Sequence, residues 1–334
     1  MDSQLEFRRY SLAFRHPVRT SRGPWAAREG LYVRVRRPDG TIGLGEAAPV
    51  PGFGAETVAE DAACCDTLGG RIGADTLALV PGHLHALRNA LAFAIGADAD
   101  NPRRPSIAVA ALLPAGRAAL AEAPPKADAG FRVFKWKVGI AAADDEMAVL
   151  DDLIGALPPG SRFRLDANGA WDRRTAEKWL DRVSERPVEF VEQPVAPGTS
   201  RADDCLSGLA ADYPTPIALD ESISGEDDVG RWLDLGWRGY FVIKPALVGD
   251  VRGALERLAR AHARVVFSSA LETGIGARAA LRLAFAWPGK AHAIGFGVWP
   301  LFSDPRFDGP AAAPFLRVDD VNRIDPQSLW SAAS

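Results

Sequence analysis

The sequence predicts an α/β fold: a TIM-like (β/α)7β barrel behind an N-terminal α+β capping domain. Three observations predict it. From about residue 106, short apolar runs of strand length alternate with amphipathic stretches, the pattern of repeated βα units around a parallel sheet. Seven or eight such units favour a closed barrel over an open doubly wound sheet. Five charged residues, Lys137, Asp166, Glu192, Asp220 and Lys244, mark the ends of these runs at intervals of 29, 26, 28 and 24 residues. Each interval is about one strand, one helix and two short loops.

Residues 4 to 48 read as antiparallel β. Leu31-Tyr-Val-Arg-Val-Arg alternates at period two, Pro38-Asp-Gly40 supplies a turn, and Thr41-Ile-Gly-Leu returns. The cluster Arg34, Arg36 and Arg37 reads as the solvated face and end of that strand. A Pro- and Gly-rich loop, Ala48 to Gly54, precedes helical stretches from about Glu56 to Ile95. The polar, Pro-containing segment Asp98 to Pro105 marks a domain boundary. The capping domain is expected at 1–103, joined by a tail at about 315–334, and the barrel at 104–314.

Barrel strands are expected at Ile107 to Leu113, Phe131 to Val138, Arg162 to Asp166, Val188 to Glu192 and Ile217 to Asp220. Three more are expected at Tyr240 to Lys244, Arg264 to Ser269 and near Ala293 to Phe296. Met147, Leu150, Ile154 and Leu157 form one helical face, stopped by Pro158-Pro-Gly160. Ala176, Trp179, Leu180 and Val183 form another, with Asp172 as its N-cap.

Bulk composition excludes several function classes. The chain has 334 residues, a formal net charge of −4 and no basic stripe, which excludes a nucleic-acid partner. No uncharged run approaches the roughly 20 residues needed to span a bilayer. No signal-peptide stretch opens the chain. The cysteines Cys64, Cys65 and Cys205 form neither a disulfide framework nor a zinc motif, so a reduced, cytoplasmic setting is expected. The five histidines are scattered, which argues against a zinc hydrolase or a His-based triad. The expected partner is a small-molecule carboxylate. The sequence sets no oligomeric state.

In a parallel barrel, functional groups sit at the carboxyl ends of strands. Lys135 and Lys137 are two apart, so both should face the barrel interior while Trp136 faces out. Three carboxylates from adjacent strands, Asp166, Glu192 and Asp220, suit Mg²⁺, which prefers oxygen ligands in octahedral array. A substrate carboxylate on that ion would lose its α-proton more readily. A lysine is a poor base at its ordinary pKa, and nearby cations should lower it. Lys137 and Lys244 would bracket the substrate carbon, in a site able to racemise, eliminate or cycloisomerise.

A lone Asp at a strand end is ordinarily a cap, and alternating lysines ordinarily mark a solvated face. Five such residues in step make coincidence a poor explanation. Glu221 reads as a support for the site. Asn168 is either a donor to it or a turn residue. Ser269 to Gly276 precedes a helix whose backbone N–H groups could hold a substrate carboxylate, which singles out Ser269 and Gly274; an ordinary glycine-bearing loop is the alternative. Gly43-Leu-Gly-Glu-Ala-Ala48 fits a dinucleotide-binding pattern, but Pro49 and Pro51 leave no helix to receive a pyrophosphate.

Phe134-Lys-Trp-Lys137, Arg164-Leu-Asp-Ala-Asn168, Val191-Glu-Gln-Pro194, Ala218-Leu-Asp-Glu-Ser222 and Val242-Ile-Lys-Pro245 resemble the motifs of the enolase superfamily, muconate-lactonising subgroup. The likeness spans nearly the whole chain. The Pro49 to Gly54 loop and the Ser268 to Gly274 segment most resemble those of the o-succinylbenzoate synthase family. That resemblance implies Asp166, Glu192 and Asp220 as ligands of Mg²⁺, with Mn²⁺ as a substitute. It implies Lys137 as the acid/base, Lys135 as its electrostatic neighbour, and Lys244 as the cation that stabilises the enediolate. The implied reaction is the syn-dehydration of 2-succinyl-6-hydroxy-2,4-cyclohexadiene-1-carboxylate in menaquinone biosynthesis.

N-succinylamino acid racemases and dipeptide epimerases share both lysines and the metal site, and muconate cycloisomerase is an alternative that fits the loop segments less well. The Asp-x-Asp pair typical of dipeptide epimerases is missing from Phe296 to Phe302. A Schiff-base aldolase using Lys244 would leave the three carboxylates without a purpose. Thr20 to Arg28 and Pro49 to Gly54 are the candidate segments for contact with the substrate tail.

Overall fold

The computed structural model describes residues 3–20, 23–73, 75–96 and 101–333. The chain opens with β1 (Ser3–Thr20), β2 (Gly23–Arg36) and β3 (Ile42–Ala47), an antiparallel meander. Helix α1 (Val58–Leu68) starts on a capping box between Thr57 and Glu60 and stops at Gly69, in the left-handed region at φ 71°. Next come β4 (Arg71–Ile72), α2 (Thr76–Leu79) and α3 (His85–Gly96). Strand β4 adds to β1, giving the order β3-β2-β1-β4.

Helix α3 lies so close to β3 that side chains are excluded there. A Cβ at Gly43 would fall 1.9 Å from the Ala94 carbonyl oxygen, and one at Gly45 would fall 2.0 Å from that of Ala90. The glycines of the false dinucleotide pattern therefore serve helix-on-sheet packing.

The barrel follows: β5 (Ser106–Ala108), β6 (Ala111–Leu113), α4 (Ala119–Asp128), β7 (Val133–Lys137), α5 (Ala143–Ala156), β8 (Arg162–Asp166), α6 (Arg173–Val183) and β9 (Val188–Glu192). It continues through α7 (Ser200–Asp212), β10 (Ile217–Leu219), α8 (Glu226–Asp234), β11 (Tyr240–Ile243), α9 (Val251–Arg260), β12 (Arg264–Phe267) and α10 (Gly274–Ala286). Strands β6 to β12 form one sheet in chain order, all neighbours parallel. The Asp172 side chain accepts from Thr175 N at the head of α6, as its N-cap position predicts.

Two expected strands differ. Ile107 to Leu113 is not one strand but two. Strand β5 pairs antiparallel with β13 (Phe315–Arg317), while β6 joins the barrel. The eighth strand is reduced to single bridges, Ser268 to Gly295 and Val109 to Ile294. Its backbone still closes the ring: Gly295 N donates to Phe267 O, and Ala110 N donates to Ile294 O.

Alternation along the strands sorts the core. Phe190, Ala218, Tyr240, Val242 and Val266 fill the barrel interior as their own cluster. Trp136, Phe163, Leu165, Phe241 and Phe267 belong to the larger cluster formed with the surrounding helices. After β13 the chain forms α11 (Val318–Asn322) and α12 (Pro326–Ala332). Arg8 donates to the carbonyls of Trp330 and Ala333, and the guanidiniums of Arg8 and Arg34 lie 4.6 and 4.7 Å from the centre of the Trp330 ring. Arg34 also pairs with Glu6, and Arg37 donates to the Ile95 carbonyl. Those two arginines are thus engaged rather than solvated, because the tail and α3 cover them. Among the described residues, no helix is long and apolar enough to cross a membrane.

Candidate active site

The period of two along β7 fixes the first part of the site. Trp136 is fully buried outside the barrel, so Lys135 and Lys137 share the inner face. Lys137 is in register with Asp166, and Asp166 with Glu192. Asp220 follows β10 directly and Lys244 follows β11. Strands β7 and β11 have β8, β9 and β10 between them on one side. On the other side lie β12, the Gly295 bridges and β6. Lys137 and Lys244 therefore stand on opposite walls, with the three carboxylates on the arc between.

Asp166, Glu192 and Asp220 are all buried. The Lys135 ammonium lies 2.8 Å from Asp166 Oδ2 and 2.6 Å from Glu192 Oε1. The Lys244 ammonium donates to Asp220 Oδ1. Burial, then the Asp166 charge, pushes the Glu192 carboxyl well above its usual range. Burial would raise Asp220 too, but the Lys244 and Lys135 charges outweigh it and hold it low.

Two of the site lysines are held charged by their carboxylate neighbours. Burial alone would lower Lys135, yet the Asp166, Glu192 and Asp220 charges hold it well above the usual lysine value. Lys244 is raised as well: Asp220 and Glu221 overcome its burial. At both, direct carboxylate contact outweighs desolvation.

Asn168 resolves both of its readings. It has a left-handed φ of 44°, and its amide donates to Glu221 Oε1 at 3.0 Å. The Glu221 carboxyl is pushed up to about 7 by burial and by the Asp220 charge. The head of α10 already has an anion of its own. Thr273 N, Thr273 Oγ1 and Gly276 N already donate to the buried Glu46 carboxylate of β3. Ser269 Oγ donates to Glu272 Oε2. A Cβ on Gly274 would meet Leu329 at 2.9 Å, so that position packs on α12. The protein's own anion occupies this helix end, and Ser269 and Gly274 are not brought to the carboxylate cluster by any contact. Within the candidate segment Thr20 to Arg28, residues 21 and 22 lie outside the described residues.

Two contributors were missed in the sequence. Gln193 accepts from Asp220 N and Ser222 N, and it donates to Val195 O and Ser222 Oγ, so it fixes the backbone that carries Asp220. Its signal was the Glu-Gln-Pro tripeptide. Glu146 accepts from the amides of Gly139, Ile140 and Ala141, shaping the loop after Lys137. Phe53, within the Pro49 to Gly54 loop singled out in the sequence, lies over Lys244.

Among the described residues, no three acidic, His or Cys side chains close on a single point as a finished metal cage. Lys135 bridges Asp166 and Glu192 instead. The donor set nonetheless fits a hard divalent cation. It is all oxygen, it comes from three adjacent strand ends, and burial first and the Asp166 charge second push Glu192 toward its neutral form, which a cation would reverse.

The fold and the site define the class: a two-part barrel protein of the enolase type, with lysines facing each other across three carboxylates. The family model described as enolase C-terminal domain-like matches residues 117–316. An o-succinylbenzoate synthase of Thermosynechococcus vestitus is 42% identical over 88% of this chain and 92% of its own length. One from Thermobifida fusca is 32% identical over 96% of this chain and 93% of its own. The crystal structure of o-succinylbenzoate synthase from Thermosynechococcus elongatus BP-1, complexed with Mg in its active site, superposes with a TM-score of 0.84 at 38% identity, covering 98% of this chain and 99% of that one. The chain belongs to the o-succinylbenzoate synthase family of the enolase superfamily.

Proposed function

We propose that this chain is a carbon–oxygen lyase that dehydrates 2-succinyl-6-hydroxy-2,4-cyclohexadiene-1-carboxylate to 2-succinylbenzoate, a step of menaquinone biosynthesis, with Mg²⁺ as cofactor. The observation that carries the reading is Lys137 and Lys244 on opposite walls with Asp166, Glu192 and Asp220 between. Those three carboxylates would hold the ion; Mn²⁺, a similar oxygen-seeking cation, would substitute. When bound, the ion supplies a Lewis acid that offsets the charge gathering on the substrate carboxylate.

Lys137, as the free amine, takes the proton from the ring carbon that bears the carboxylate. The electron pair left behind expels hydroxide from the neighbouring carbon, and the same Lys137 ammonium protonates it, so water leaves from the face that lost the proton. The ring becomes aromatic. Lys244 stays charged against the opposite ring face. Lys135 orients Asp166 and Glu192 through its two hydrogen bonds and keeps positive charge beside Lys137. Asn168 would brace the site twice: its backbone N–H donates to Asp166 Oδ1, and its side-chain amide donates to Glu221 Oε1. A Schiff-base role for Lys244 is disfavoured, since Asp220 and Glu221 hold its ammonium charged.

The domain division at 103/104, with a tail from about 315, and a cytoplasmic setting are part of this proposal. The cysteines support the setting, since all three are free thiols.

The test is a side-by-side assay with Mg²⁺ of the cyclohexadiene, N-succinylamino acids and dipeptides. The cyclohexadiene should be the preferred substrate, and Lys137→Ala should abolish its turnover while leaving the fold intact. Normal dehydration by that variant would reject the assignment.

A further inference from the structure

Arg28 is fully buried on β2, at the seam between the first sheet and the barrel. Among the described residues, its guanidinium donates to backbone carbonyls and to no carboxylate. It is spent instead on backbone carbonyls from two separate loops. Nη1 donates to Pro49 O at 2.7 Å, and Nη2 donates to Ala48 O. On the barrel side, Nε donates to Leu271 O at 3.1 Å, and Nη2 also reaches Ala270 O at 3.3 Å. Pro49 opens the capping loop. Ala270 and Leu271 lie in the loop after β12, where Leu271 holds a left-handed φ of 60°. Trp25 lies against the guanidinium at 5.1 Å.

Both loops meet again at the site. Val50 and Phe53 pack on Ala246, Leu247 and Ala270, and the Phe53 ring covers the Lys244 ammonium. A planar five-donor cation suits this bridging, because its fork satisfies carbonyls in fixed directions. A buried charge held only by carbonyl dipoles is costly unless every bond is kept, so the two loops cannot separate freely.

We infer that Arg28 is a positioning residue that locks the capping loop to the loop after β12 and thereby sets the substrate-side wall over Lys244. The inference deepens the dehydration reading and rests on it for the substrate, while its structural half stands separately. Arg28 touches no reacting atom. Its loss should loosen two loops together and spread substrate poses, which raises KM more than it lowers kcat.

The test compares wild type with Arg28→Ala and Arg28→Lys by hydrogen exchange and by steady-state kinetics. In Arg28→Ala, amides of 48–54 and 269–273 should exchange faster together, with α6 unchanged. KM for the cyclohexadiene should rise about tenfold or more, with kcat changed only a few-fold. Added guanidinium should lower that KM, and Arg28→Lys should fall between the two. Loosening of one loop alone, uniform loosening of the whole chain, or loosening of both loops with unchanged KM would each overturn the inference. If Arg28→Ala does not fold, the same readings on Arg28→Lys decide. If wild type itself fails to dehydrate the cyclohexadiene, the reaction reading falls, and the exchange data still judge the lock.

Discussion

The Lys244 ammonium sits 4.3 Å from the centre of the Phe53 ring, a residue 191 positions earlier in the chain. A cation that donates to Asp220 on one side thus meets an aromatic face on the other. The capping loop thereby reaches a group placed at the heart of the barrel.

Replacing Phe53 separates packing from charge. Phe53→Leu keeps an apolar contact with Ala246, Leu247 and Ala270 but removes the aromatic face. A cation–π contact contributes about 0.5–2 kcal/mol. The variant should lose about two- to thirtyfold in kcat/KM for the cyclohexadiene, while its melting temperature stays close to wild type.

Gln193 holds the Asp220 backbone through two accepted hydrogen bonds. Gln193→Leu leaves Asp220 N and Ser222 N without their acceptor. Groups that orient ligands in this way affect metal affinity by about 10–100-fold. Calorimetric titration with Mg²⁺ should show weakening of that order; unchanged affinity would remove Gln193 from the site.

Metal removal should have two consequences. EDTA should abolish dehydration, and added Mg²⁺ should restore it. At an ion concentration about 100 times Kd, binding stabilises the native state by about 2.7 kcal/mol, so the melting temperature should rise. Asp166→Asn, Glu192→Gln and Asp220→Asn should each blunt that rise.

Asp61, on α1, is fully buried, with its carboxyl pushed up to about 9 by burial first and the Glu56 charge second. The fold thus favours its neutral form. The unfolded chain releases that proton near pH 4. Stability from this group is therefore full below about pH 4 and is lost progressively as pH rises toward 9. Asp61→Asn removes the dependence. At pH 8.5 its melting temperature should exceed wild type by about 2–4 °C or more, and the difference should shrink toward pH 5.

Much of the fold was legible because its signals are local. The alternation in Phe134-Lys-Trp-Lys137 placed two lysines inside and Trp136 outside, and the pleat leaves no other arrangement. Asp172 capped its helix because an Asp before an amphipathic run can serve the first free amide. The split of Ile107 to Leu113 was not legible. An apolar run does not say which sheet its halves will join, and β13, which claims the first half, lies about 200 residues away. The α10 head misled for a similar reason. A helix N-terminus attracts an anion, but that the anion is Glu46 depends on how β3 docks.

Strand and helix periods are properties of the backbone, so the sequence already brings three carboxylates and two facing lysines to one candidate site in step with the βα units. The tertiary structure alone decided their electrostatic state and their roof. Lys135 lies between two carboxylates, Phe53 covers Lys244, and Arg28 reaches a carbonyl 243 residues further along the chain. Those relations arise where two independently patterned surfaces dock, and burial there sets the strength of every charge and hydrogen bond.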